Sequence, residues 1–359
     1  MLNIFDKYIG KTIANQILST LLMLVSLSSA IKFVDQLRKT GQGEYNLLSA
    51  ILYTILSIPK DIEIFFPMGA LLGALIGLGL LTQNKELIAM EAAGFTRMQI
   101  IGSVMKITFP LIVIMMLIGE FITPLGVDIA RNYRIKKLMH TAVYSTTGSV
   151  WIREHTNFIF IEKIHTNNQI TGISIYKFSN NKNLYTVQYA KSGKYNAHKK
   201  LWDLSEVYQS NLNQITQICN TYTVHNEWNT SITPNKLRIL TLNPETLSIR
   251  GLYHYLKYLD QSGQQGTRYQ LSMWGKICQP LSLIVMMLMS LSLIFGPLRR
   301  TSMGVKIVTG ISFGFLFYIL NQIFGLLSLV CHASPILGAL LPSIVFVVIS
   351  ITILIVCKK

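Results

Sequence analysis

Charge is scarce in this chain. Asp, Glu, Lys and Arg make up only 13% of its 359 residues, and the acidic share is the thinner one, 16 against 32 Lys and Arg. A soluble domain usually carries roughly a quarter of its residues as charges. Half of the residues are hydrophobic and the mean hydropathy is +0.42, so the shortfall marks a membrane protein with a polar part. A formal charge of +16 would suggest nucleic acid in a soluble chain. There is no basic recognition helix or aromatic RNA-binding motif here, so nucleic acid is excluded as a partner. The excess instead reflects loop lysines and arginines that set orientation and attract anionic lipid.

Other absences narrow the chemistry. The four cysteines, Cys219, Cys278, Cys331 and Cys357, are scattered, with neither a disulfide framework nor zinc spacing. Gly10-Lys11-Thr12 superficially resembles the end of a phosphate-binding loop, but Phe5 stands where that motif needs its first glycine, and no strand precedes it. No His/Ser/Asp or Cys/His set shares a context, so no catalytic residue, metal or cofactor is expected. The apolar run near the N-terminus is too long for a cleavable leader and no A-x-A-like site follows it, so the first span is expected to stay.

What is present is a series of long apolar runs. Met1 to Lys11 alternates apolar and charged residues and predicts a short interfacial helix. Thr12 to Ile31 has no charge, and ~20 residues rising ~1.5 Å each cross a ~30 Å hydrocarbon core. Lys32, Asp35 and Lys39 then follow at helical spacing with Arg38 beside them, and would share one face if the helix continued. Lys32 has two readings, a lysine snorkelling to the headgroups or a charged wall facing a cavity for an anionic substrate. A second helical run is interrupted at Pro59 to Glu63, after which Ile64 to Leu81 is uncharged. Gly69, Gly73 and Gly77, four apart, predict close approach of a neighbouring helix.

Thr82 to Gln99 is the most informative polar loop. Asn84 can cap a short helix with Glu86 in its first turn and Gly94 as its stop, and Thr96 to Gln99 has capping-box spacing. The third span, about Met98 to Ile122, carries Lys106 near one end and Pro110 as an expected kink, and the helix runs on through Asp128, Arg131, Arg134, Lys136 and Lys137. From about Ala142 to Ser262 the period changes to two, with Asn-rich turns at Asn167-Asn168 and Asn180-Asn181, predicting an all-β sandwich or roll. Pro244 to Asp260 predicts a closing helix. Three spans follow, at about Leu271 to Phe295, Val305 to Leu329 and Ile336 to Val356, divided at Gly325 and at His332 to Pro335. His332 is expected in a loop.

The fold class is therefore an α-helical membrane protein with six transmembrane helices, three on each side of an inserted all-β domain. The domains are expected at 1–129, 130–266 and 267–359. Lys7, Lys11, Lys85, Arg97, Arg299, Arg300, Lys306, Lys358 and Lys359 fall on one side, which predicts cytoplasmic termini and a β domain across the membrane. Lys32, Arg38, Lys39, Lys60, Arg131, Arg134 and Lys276, tempered by Asp35, Asp61 and Glu63, then form a basic collar suited to an anionic amphiphile. A carrier with no nucleotide site of its own needs an ion gradient or a borrowed ATPase. The span centres lack the acids of ion-coupled carriers, and the short helix at about Asn84–Gly94 suits docking to an ATPase. A scaffold or receptor that binds a partner through its β domain is the rival class.

Long blocks in register also resemble the lipopolysaccharide-export permease family: Asp6 to Thr12, Lys32 to Leu37, Pro59-Lys60-Asp61 with Phe65 to Met68, Gly94 to Gln99, Ala130 to Arg134, Arg268 to Leu271 and Phe295 to Arg299. The resemblance implies an inner-membrane permease of the ATP-binding-cassette class with a periplasmic β-jellyroll domain. It would pair with an LptF-like sister on an LptB-like ATPase dimer and pass lipopolysaccharide to LptC-like and LptA-like proteins. By resemblance, Lys32, Arg38, Lys39, Lys60, Arg131 and Arg134 would contact the lipid. Glu86, Leu87, Met90, Gly94 and Phe95 would belong to the ATPase-coupling helix. At Arg38 the family pattern expects lysine, which keeps the charge and changes its geometry.

Overall fold

A computed structural model describes residues 4–138, 145–146, 150–154, 156–165, 168–179, 183–196, 199, 201–214, 217–230, 232–234, 237, 244–261, 266–298, 301–331 and 333–356. Arg299, Arg300, His332, Cys357, Lys358 and Lys359 lie outside the described residues, as do Asn167, Asn180 and Asn181 of the expected turns. The chain divides into a helical unit (1–40, 46–131 and 267–359) and a second unit (41–45 and 132–266).

Six helices of the described chain are long and apolar enough to cross a membrane. The first, α1 (Ile4–Leu37), is unbroken, so no separate interfacial helix precedes the span. Its apolar stripe explains this. Ile9, Ile13, Ile17 and Leu21 are buried at four-residue spacing in one core, and that stripe runs straight through the expected break at Lys11. Likewise α2 (Leu47–Gln83) continues through Pro59 and Pro67. A proline inside a helix leaves the carbonyl four residues earlier without its donor. For Pro67 that carbonyl belongs to Glu63, and the Gln279 amide donates to it at 3.0 Å. A side chain from elsewhere in the fold thus satisfies the group that the sequence leaves unpaired, and the helix survives.

The glycine triad of α2 meets α1. A Cβ at Gly69 would lie 2.7 Å from Leu21, one at Gly73 2.4 Å from the Ile17 Cα, and one at Gly77 3.2 Å from the Ile13 Cα. Two four-residue ladders interlock, so the backbones approach as the glycine spacing predicts.

After α3 (Glu86–Ala92), the third span is α4 (Arg97–Leu117), a π turn at Ile118–Ile122 and α5 (Thr123–Leu138). The helix is continuous at Pro110, and the irregular turn falls instead just before Pro124. Pro124 removes the donor for the Glu120 carbonyl and crowds it, which a locally widened π turn accommodates. The second half comprises α6 (Ile249–Gln261), α7 (Thr267–Phe295), α8 (Met303–Val330) and α9 (Pro335–Val356). The expected division at Gly325 is absent, since α8 runs through it; Gly325 is buried within that helix. Of the six spans, α2 and α7 are the most enclosed. Leu71, Leu75 and Leu78 of α2 share a core with Leu283, Met286 and Met287 of α7 and with Phe346 of α9.

The second unit holds β1 (Ser145–Thr146), β2 (Val150–Glu154), β3 (Asn157–His165), β4 (Gln169–Phe178), β5 (Leu184–Asn196), β6 (Leu201–Gln214) and β7 (Gln217–Trp228). They form one antiparallel sheet ordered β1-β3-β4-β5-β6-β7, with β2 also on β3. Strand alternation sends Ile159, Ile161, Ile173, Ile175, Ala190 and Val207 into a core that Ile232 and Leu237 join. Trp202 is 1% exposed in that core, and its indole N–H donates to the Ile232 carbonyl at 2.7 Å. The opposite face carries a row in register, Trp151, Phe160, Ser174, Tyr189, Tyr208 and Tyr222. On β5, Lys191 contacts Glu206 at 2.9 Å, and the carboxylate's hydrogen bond holds that ammonium above its ordinary pKa.

Candidate functional site

The collar residues are set by where helices end. Lys32 lies in the last turns of α1, but the helix stops at Leu37, and Lys39 and Thr40 close the end by donating to the Gln36 and Leu37 carbonyls at 3.0 Å each. Lys39 therefore does not continue the helical face of Lys32. Downstream, Gly41 and Gly43 adopt positive φ, +90° and +61°, a conformation that suits glycine and breaks the helical path. Arg38 is exposed and Lys39 is half-buried in this turn. Lys60 on α2 and Arg131 on α5 are half-buried in the helical unit. Arg134, one helical turn beyond Arg131 on α5, belongs to the second unit.

Two collar lysines are engaged by carboxylates of α2. Lys32 forms an ion pair with Asp61, with side chains 32% and 2% exposed. Lys276 of α7 pairs with Glu63 at 3.0 Å, both side chains 9% exposed, and donates to the Gly119 carbonyl at 3.4 Å. That carbonyl belongs to the π turn, whose loosened hydrogen bonding leaves it available. A Cβ at Gly119 would sit 3.3 Å from the Glu63 carboxyl carbon, so glycine is what lets this pair approach. Lys276 thus belongs to helix packing. Of the expected collar, it is a member whose ammonium is engaged by a carboxylate and a carbonyl of the fold.

The short α3 helix is built as a bracket. Its start is corrected: Asn84 terminates α2, and the residue before α3 is Lys85 at φ +62°. Asn84 still contributes, its amide donating to Glu86 at 3.1 Å, while the Tyr8 hydroxyl donates to the other Glu86 oxygen at 2.9 Å. At the far end Gly94 takes φ +94°. Its N–H and that of Phe95 donate to the Glu91 and Met90 carbonyls at 3.1 Å each, the paired closure of a Schellman motif. Thr96 and Gln99 form the expected capping box at the start of α4. Leu87 and Met90 turn inward, 4% and 9% exposed, into the helical core, and the Phe95 ring packs tilted against Phe5 with centroids 4.6 Å apart. The outward surface is Ile88, 52% exposed, with Ala89, Ala92 and Met98, the last 77% exposed.

One buried cluster has no local sequence signal. Asp6, in the first turn of α1, is 5% exposed, pairs with Lys106 of α4 at 2.9 Å and accepts from the Ser103 hydroxyl. Its partners lie about a hundred positions away, so spacing alone cannot announce them. Lys306, counted among the loop lysines, is 3% exposed in the first turn of α8 against Gly79. No group of His, Cys, Asp or Glu that could hold a metal occurs among the described residues.

Six apolar spans, of which α2 and α7 are the most enclosed, with a β sheet inserted in the chain between the third and fourth, define a polytopic helical membrane protein with an interposed β domain. The family model described as lipopolysaccharide export system permease LptF/LptG matches residues 7–356. The lipopolysaccharide export system permease protein LptG of Escherichia coli (strain K12) is 54% identical over 351 residues, 98% of each chain. Its Haemophilus influenzae counterpart is 44% identical over 348 residues, 97% of each. The chain belongs to the lipopolysaccharide export permease family.

Proposed function

We propose that this chain is the permease half of a lipopolysaccharide exporter, drawing the lipid from the outer leaflet of the inner membrane with power from a separate ATPase. The carrying observation is the match to the permease family from end to end, residues 7–356, at 54% identity to a named export permease. An LptF-like sister completes the cavity, an LptB-like ATPase dimer supplies the stroke, and the β domain hands lipid to LptC-like and LptA-like proteins. Lys7, Lys11, Lys85 and Arg97 on the short-loop side favour cytoplasmic termini and a periplasmic 130–266 domain, between membrane halves 1–129 and 267–359.

Lys32, Arg38, Lys39, Lys60, Arg131 and Arg134 are the lipid's phosphate contacts in this reading. An ion-coupled carrier would need titratable carboxylates at work in its spans. Asp61 and Glu63 are each committed to a lysine, which favours the ATPase-driven alternative.

Coupling runs through α3 and its flanks. Glu86, Leu87, Met90, Gly94 and Phe95 hold the bracket on the helical core, and Ile88, Ala89, Ala92 and Met98 form the apolar surface offered to the ATPase. Ile88→Asp puts a charge in the middle of that surface. It is expected to lower co-purification of the ATPase about tenfold, the effect of ~1.4 kcal/mol, while the chain's yield and melting stay those of wild type. Unchanged co-purification would contradict the docking assignment.

A further inference from the structure

We propose that Asp61 is a positioning residue for the lipid phosphate, its buried carboxylate holding the Lys32 ammonium by one N–H while the others stay available to an anionic headgroup. This rests on the reading that Lys32 meets the lipid and adds a second residue to that contact.

The two acid–lysine pairs of α2 differ in exposure, and that difference decides their roles. Lys276 and Glu63 are sealed alike, both side chains 9% exposed, with a second lysine N–H spent on the Gly119 carbonyl. Lys32 and Asp61 are lopsided, 32% against 2%. The acid is enclosed and the base can be reached. Asp61 Oδ1 takes the lysine, and Oδ2 is buried with no hydrogen-bond partner among the described residues.

A phosphate arriving at Lys32 can pull the ammonium away from Asp61 or bind it where it stands. Pulling it away strands a buried carboxylate that has no second donor among the described residues. Removing the partner of a buried charge costs more than one added phosphate contact returns. An ammonium has three N–H donors, so binding in place needs no exchange. Lysine's flexible stem is then already ordered before the lipid arrives, which lowers the entropic cost of the contact. The pair is close to neutral overall, so general attraction of anions falls to other basic residues. Lys32 itself contributes direction, which selects a phosphate over an uncharged headgroup.

The test uses the full-length chain purified from membranes with its partner subunits. Binding of a glycolipid carrying its phosphates is compared with binding of the same glycolipid after dephosphorylation. Lys32→Ala is expected to lower the ratio of the two about tenfold. Asp61→Asn, nearly the same shape, is expected to lower it at least about threefold, with the dephosphorylated lipid bound as before. Asp61→Glu should stand closer to wild type, and the Lys32→Ala, Asp61→Asn double variant no lower than Lys32→Ala. An unchanged ratio in Asp61→Asn overturns the proposal, as does a raised ratio, which would make Asp61 a competitor of the phosphate. Equal losses for both lipids would mean a purely structural role and overturn it too. If Lys32→Ala leaves the ratio untouched, the assignment of Lys32 to the lipid falls first, and this inference with it.

Discussion

At the residue scale the chain's few acids do most to order its interior. Asp6, Asp61 and Glu63 are 5%, 2% and 7% exposed, and each is met by a lysine from another helix. Such pairs fix which helix lies beside which, because a mispaired arrangement would bury a bare charge. Glu63→Gln should therefore cost ~3–5 kcal/mol of stability by leaving Lys276 buried with an uncharged neighbour. Replacing both, as Glu63→Gln with Lys276→Met, should recover most of the loss. Thermal melting in detergent of both variants checks this, and a double variant as unstable as the single would show that the pair is not the cause. The sequence displays these residues but not their pairing. Lys276 and Glu63 are over two hundred positions apart, and nothing in the spacing of either run points to the other.

Elements were more legible, because helical periodicity and capping are local. The capping box at Thr96 and Gln99 and the stop at Gly94 are formed as spaced. So is the glycine ladder, whose neighbour the structure identifies as α1. Gly73 is its tightest point, since an added Cβ meets the backbone of Ile17, which cannot swing aside as a side chain can. Gly73→Val is expected to destabilise the helical unit by at least ~2–3 kcal/mol, read as a lowered melting temperature. Gly102→Val, at a position with nothing within 4 Å of a Cβ, is the control and should stay within ~1 kcal/mol. Where element reading failed, it failed at residues taken as breaks, among them Pro59, Lys11 and Gly325. Pro59 to Glu63 reads as an interruption, yet α2 runs on through it and through Pro67, whose missing donor Gln279 supplies. Met1 to Lys11 looked like a separate helix only while the burial of Ile9 was unseen.

For the whole molecule, each of the two units owns a core. Ile9, Leu71 and Met286 belong to the helical one, and Ile161, Ile173 and Trp202 to the sheet. Ile161→Ala should cost ~2–5 kcal/mol, confined to the sheet unit. Limited proteolysis is then expected to cut within 132–266 well below the temperature at which the helical unit opens. Simultaneous loss of both would mean that the units share one cooperative transition. The same division separates the lipid assignments, since Lys32, Lys60 and Arg131 fall in the helical unit and Arg134 in the other.

The amino-acid sequence alone determined that this is a six-span membrane protein with an inserted β domain, because hydropathy and the change of period from helical to two are properties of neighbouring residues. It also determined the family, through blocks that stay in register along the whole chain. Only the tertiary structure decided which lysines remain reachable. The Lys32 side chain stays partly exposed while those of Lys276 and Lys306 are largely covered, and Leu87 and Met90 turn into the core while Ile88 and Met98 face out. Burial is a sum over distant segments, and a charge's role depends on what those segments bring beside it.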